Sequence, residues 1–265
     1  MKLSAYIGGI GVLGPGLHSW PHAAAVLSGK QPYLPAPTVL PTPAMLPPAE
    51  RRRTGRVVKL ALAVALEATS SADADPTQMP SVFSSSGSDG HICHEICQAL
   101  ALSTREVSPT RFSNSVHNVA AGYWSIATGS MTEANVLCAF DASFVAGLLD
   151  ALTQATVDRQ SVLLVAYDTE YPPPLHAKRP IPDALGVAMV LTPERSLSST
   201  ARIDLTLTNE TCDKMSDLDL EALRGAIPAA RSLPLLRLLA IGVPGRAILD
   251  YLDVSCAAVQ IEPCR

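Results

Sequence analysis

Short apolar runs of strand length alternate with stretches of helical period as far as residue 194, and this alternation restricts the fold more than any other feature. Leu3 to Val12 is apolar, β-prone and punctuated by glycine. Pro80 to Ser85, Asn135 to Phe140, Ser161 to Ala166 and Gly186 to Leu191 are further runs of this kind. Helices are expected between them, over His18 to Leu27, Glu50 to Thr69, His91 to Leu102, Phe112 to Thr128 and Ala142 to Thr156. In the second of these, Val57, Leu60, Ala61, Val64 and Ala65 mark one face. Prolines crowd Gln31 to Pro48 and recur at Pro172, Pro173 and Pro174, so both segments read as loops. The expected class is α/β, an α/β/α arrangement around a five-stranded, mainly parallel sheet. After Glu194 the pattern changes. Ile203, Leu205 and Leu207 alternate like a strand, Leu218 to Leu223 and Pro234 to Leu239 look helical, and Cys256 to Ile261 looks like a last strand. Two units are therefore expected, 1–194 and a C-terminal α+β extension, 195–265, packed on it.

Composition narrows the function. Twenty Lys and Arg against 24 Asp and Glu give a net charge of −4, unsuited to a general nucleic-acid binder. Charged residues make up 17% of the chain, against about 25% in ordinary globular proteins. So uncharged a chain is expected to cover part of its surface with another subunit. The apolar run Val57 to Leu66 contains Lys59 and is too short for a membrane span, which needs about 20 residues. Glycines interrupt the apolar stretch after Lys2, which reads as a strand and turn rather than a signal peptide. The six cysteines have no framework spacing and read as reduced thiols of a cytoplasmic protein.

Four constellations carry possible chemistry. Gly9, Gly11 and Gly14 match a dinucleotide-binding turn, but Pro15 breaks the helix that should follow and the first acidic residue is Glu50. A tight strand-to-helix turn is the plainer reading. His91, Cys93, His94 and Cys97 crowd one helix without a second ligand pair, so a partly buried helix is expected rather than a metal site. Arg51, Arg52, Arg53 and Arg56 form a basic run suited to an acidic partner or to plain solvation. Finally, Cys138 to Gly147 runs from an apolar strand through small residues into an apolar helix, the architecture of a nucleophile elbow. Asp141 sits at its turn, where a carboxylate can cap the helix.

At these residues the chain resembles the β-ketoacyl synthases, which have a thiolase-like fold. The landmarks fall in order: Ile7 to Gly16, Ala25 to Lys30, Lys59 to Ala68, Val82 to Gly90, Ser108 to Phe112 with Asn118 to Ile126, and Gly186 to Leu191. The resemblance implies a cysteine at the elbow that takes the acyl chain. It places Asp141 there instead, with Cys138 inside the strand, buried and inert. The family's second-half histidines have no counterpart, since no histidine follows His176. The pattern is most similar to the chain-length-factor subunits of type II polyketide systems, in the half-length form found with aryl polyene synthases. That resemblance implies no catalytic residue, metal or cofactor, and no enzyme activity of the chain alone. It implies a heterodimer with an active ketosynthase and a transient acyl carrier protein, for which the basic run is the candidate docking site. Asn135 to Phe140 would pair across the dimer, and Phe112, His117, Asn118, Tyr123 and Trp124 would line the interface or the partner's acyl tunnel. Alternatives are an acyltransferase or condensing enzyme using a cysteine thiol, a nucleotide binder using the glycine turn, and a scaffolding homodimer.

Overall fold

In the computed structural model, which describes residues 2–87 and 89–264, eight strands form one sheet. They are β1 (Leu3–Leu13), β2 (Ser81–Ser84), β3 (Ala134–Leu137), β4 (Val162–Asp168), β5 (Leu185–Thr192), β6 (Ala201–Thr208), β7 (Gly245–Leu252) and β8 (Ser255–Pro263), in the spatial order 3-2-4-5-1-6-8-7. The class is α/β, as expected. The expected count of five strands and their mainly parallel course are corrected. Only β3–β2 and β2–β4 pair in parallel; every other neighbouring pair is antiparallel. The connections explain this. A parallel pair needs a long crossover, usually a helix, and helices do separate β2, β3 and β4. The links from β5 to β6 and from β7 to β8 are too short for one. The strands after residue 194 continue the same sheet, because the outer side of β1 is free to pair with β6.

Helices cover both faces. They are α1 (Trp20–Leu27), α2 (Pro48–Arg51), α3 (Arg56–Ser71), α4 (Gly90–Ala101), α5 (Pro109–Asn114), α6 (Val119–Thr128), α7 (Ser143–Thr153), α8 (Leu218–Ala226) and α9 (Leu233–Ile241). The helix expected over 50–69 is two, interrupted before Gly55, and that expected over 112–128 breaks at 115–118. Strand residues alternate between two cores. Leu163, Val165 and Tyr167 face α3 and α6, while Val162, Leu164 and Ala166 face α1, α7 and α9. Ser88, inside the Val82–Gly90 landmark, lies outside the described residues.

Two further expectations are corrected. Gly9 and Gly11 form no turn but lie within β1, where a Cβ would stand 2.1 Å from the carbonyl oxygens of Ala68 and Val64. They are glycine because the α3 backbone presses on the strand. The cysteines are not all thiols: Cys212 and Cys256 form a disulfide, with Cα atoms 6.4 Å apart. Among the described residues, no helix is long and apolar enough to cross a membrane.

Candidate functional site

The elbow is built from the end of an edge strand. After β3 the chain runs through Cys138 and Ala139, turns at Phe140 with φ of 52°, makes one short turn and enters α7 at Ser143. The Ser143 hydroxyl staples this turn, accepting from the Ala139 N–H (3.0 Å) and donating to the Phe140 carbonyl (2.7 Å). Ser84 of β2 donates to the Ser143 carbonyl at 2.6 Å. Gly147 lets α7 approach β2, since a Cβ there would lie 2.8 Å from that of Ser84. The left-handed residue is thus Phe140, whose ring is 59% exposed. The Arg179 guanidinium lies over it, 3.7 Å from the centroid.

Asp141 follows. Its two carboxylate oxygens accept from different arginines, Arg179 Nη2 at 2.6 Å and Arg231 Nη2 at 3.1 Å. Beside this triad lies an open cavity of about 410 Å³, lined also by Ala222, Gly225 and Ala226 of α8 and by Pro228. Behind the elbow Asp168 is fully buried at the end of β4. It accepts from the N–H and hydroxyl of Ser86 (2.9 and 2.5 Å) and from the Ala229 N–H (2.9 Å). Burial pushes its carboxyl up to about 6, against the pull of these bonds. Asp168 therefore ties the C-terminal segment to the strand ends under the elbow.

The sequence model of the β-ketoacyl synthase N-terminal domain matches residues 25–233. The chain belongs to that family. Its thiolase-like fold recurs in a chain of the ketosynthase ApeO complex with its chain length factor ApeC from Xenorhabdus doucetiae, with TM-score 0.73, 23% identity, and 97% of this chain and 99% of that one covered. It recurs in the ishigamide ketosynthase/chain length factor, with TM-score 0.72, 13% identity and coverage of 99% and 100%. The complex of ketosynthase AntDE with the acyl-carrier protein AntF gives TM-score 0.77, 10% identity and full coverage of both chains. At these identities the likeness concerns the fold. No curated protein matches the sequence.

Within this ketosynthase-family chain several expected site residues sit elsewhere than anticipated. Asp141 is one residue past the left-handed position, and no side chain caps α7. Its charge is not bare in the helix field, because two guanidinium groups face one carboxylate. Cys138 is not buried: β3 ends one residue earlier, leaving it exposed with its thiol donating to the Ser86 carbonyl at 3.3 Å. Tyr123 and Trp124 are buried in the α3–α6 core, on the inward face of α6, rather than on the exposed surface. Phe112 and Asn118 are exposed, and His117 is half-buried with Nε2 3.0 Å from the Leu137 carbonyl oxygen. The basic run does not form one surface. Arg51 donates to the carbonyls of Ala44 and Leu46, Arg53 pairs with Glu50, and Arg56 pairs with Glu170 and Asp183. Arg52 is the exposed member for which no carboxylate partner is seen among the described residues. On α4, His91 turns toward Glu170 at 3.7 Å. Sequence reasoning missed Asp168, Arg179 and Arg231. Only Asp168 carried a signal, as a carboxylate closing an apolar strand.

Proposed function

We propose that this chain is a non-catalytic ketosynthase-like subunit that pairs with an active β-ketoacyl synthase. In this reading it acts as a chain-length factor in polyketide or fatty-acid-type synthesis, of the aryl polyene kind, in the cytoplasm. The observation that carries the reading is the elbow. Its backbone is complete, but Phe140 holds the left-handed position and Asp141 is held by Arg179 and Arg231. Neither side chain can act as the family's acyl-accepting thiol.

A second observation supports a partner. β3 is the outermost strand, with its residues exposed or half-buried, and an open edge is a template for pairing. Along the chain segment around it, Phe112, Val116, Ile126, Met131 and Phe140 are between 45% and 96% exposed. Side chains of this segment, Phe112 among them, would border the partner's tunnel and end chain growth by bulk. The titles of the matched structures name ketosynthases with chain length factors or with a carrier protein, and an acyl carrier protein is the proposed transient partner here. The exposed Cys138 favours one rival, an acyltransferase working through that thiol.

The test is co-expression with a candidate ketosynthase from the same genome, followed by native mass spectrometry and a condensation assay. A one-to-one complex, active where the partner alone is not, is expected. Phe112→Asp should leave the fold intact, since the ring is exposed, and abolish the complex. A chain that forms only its own dimer would establish the scaffolding alternative. A single fast-reacting thiol lost in Cys138→Ser, together with acyl transfer, would establish the acyltransferase.

A further inference from the structure

We propose that the Cys212–Cys256 disulfide is a redox-sensitive clasp, which holds residues 209–214 over the open edge of β7 and frees that edge when reduced. The inference concerns the chain alone and does not need the heterodimer. β7 is the outermost strand at the end of the sheet opposite β3. An open edge presents unpaired backbone groups to any strand that meets it, and here the chain covers its own. Cys256 of β8 stands in register between Thr208, the last residue of β6, and Asp250 of β7. The chain leaves β6 at Thr208, is bonded to β8 through Cys212, and reaches β7 with Asp213. The Asp213 N–H donates to the Ile248 carbonyl (2.8 Å), and the Asp213 carboxylate accepts from the Ile248 N–H (2.8 Å). Both backbone polar groups of this edge residue are thereby occupied.

Little else fixes the cover. Residues 209–214 form no helix or strand, and all of them but Cys212 are exposed, so no apolar side chain seats the segment. Glu210 pairs with Arg246 at 2.5 Å, but these side chains are 51% and 42% exposed, and exposed ion pairs hold weakly. Firm attachment resumes at Met215, which is buried and donates its N–H to Glu221 at 2.8 Å. The disulfide is therefore the covalent tie in the middle of a segment anchored at its ends, and both cysteines are half-buried rather than sealed in the core. Opening it takes two small-molecule thiols. Their sulfurs join as a new disulfide, and their two protons and two electrons leave Cys212 and Cys256 as thiols. In a cytoplasm, where disulfides are rare and usually redox-sensing, that reductant is present; this step alone rests on the placement proposed above.

Amide hydrogen exchange of the full chain tests this, before and after reduction by dithiothreitol, with glutathione at a cytoplasmic ratio as the natural thiol. Reduction should speed exchange at least about tenfold in residues 209–214 and at Ile248, a local opening, while β4 and β5 stay protected. Glutathione should open the bond in the folded chain. Cys212→Ser should show the reduced pattern without reductant. So should Cys256→Ser, which decides the matter should the first variant fail to fold. A bond that glutathione leaves closed, unchanged exchange in 209–214 and at Ile248, or protection lost across β4 and β5 alike would overturn the proposal. Every arm uses the purified chain, so a protein found outside the cytoplasm would fail that placement and not the clasp.

Discussion

Gly11→Ala should cost this protein several kcal/mol, although it adds one methyl group. A Cβ at Gly11 would lie 2.1 Å from the Val64 carbonyl oxygen and 3.0 Å from the Ala68 nitrogen, both backbone atoms of α3. Non-bonded atoms settle at about 3.5 Å, so the helix has to retreat by roughly 1.4 Å. A gap of 0.5–1 Å already forfeits about a quarter to a half of a contact's attraction. The helix buries Leu60, Val64 and their neighbours against the sheet, each worth about 1.5–3 kcal/mol. Losing that fraction over several residues amounts to about 3–5 kcal/mol, above the usual 1–3 kcal/mol for overpacking, because backbone cannot rotate aside. Gly8→Ala is the control. Its Cβ would meet its nearest atoms at 3.6 Å, an ordinary contact, so the change should stay within about 1 kcal/mol, the strain offset by the lower entropy of the unfolded chain. Urea unfolding measures both, as midpoint shifts at unchanged slope. Gly11→Ala costing no more than Gly8→Ala would refute the reasoning and return the glycines to a role in ligand binding.

Three further outcomes are expected. Asp168 holds its proton more tightly folded, at about 6, than unfolded, at about 3.9. Its contribution is therefore full below about pH 4 and lost as pH rises to about 6, about 3 kcal/mol in all. Asp168→Asn should remove that slope from the difference between the two stability curves, and an unchanged slope would contradict it. Thiol titration of the unfolded, unreduced chain should find four of the six cysteines, since Cys212 and Cys256 are paired. Reducing that bond, which closes a loop of 44 residues, should lower stability by about 4 kcal/mol by chain entropy; six reactive thiols would exclude the pairing. Neither Phe140→Cys nor Asp141→Cys should give the chain alone any condensing activity, and turnover by either would undo the non-catalytic reading.

What the sequence disclosed and what it hid divide along the range of the interactions. Apolar period is local, so seven of the eight strands were legible. β7 was not, because apolar Ile248 stands between Arg246 and Asp250 on its outward side and only two of its eight residues, Ala247 and Leu249, are buried. Strand direction was hidden, since period is the same for either sense and only the connections decide it. The elbow was legible as an architecture, but which of its residues is left-handed was not. A glycine would have marked the left-handed position; Phe140 gives no such sign. The partners of Asp141 lie 38 and 90 residues further along the chain, and no local pattern joins them.

A left-handed residue with a side chain costs roughly 1–2 kcal/mol, and an exposed aromatic ring recovers none of it by burial. Phe140 carries both burdens, so its surroundings must impose the conformation. Ser143 fixes the turn from the helix side, and Arg179 holds the ring while gripping the next residue's carboxylate. Arg231 binds the same carboxylate from the C-terminal segment, so sheet, loop and extension meet at one aspartate. Such a clamp fits a turn retained for its shape. It keeps the end of β3 and the exposed ring in one fixed position beside the open edge strand. A partner that covered that edge would then meet a surface already ordered, and would lose little freedom in binding it.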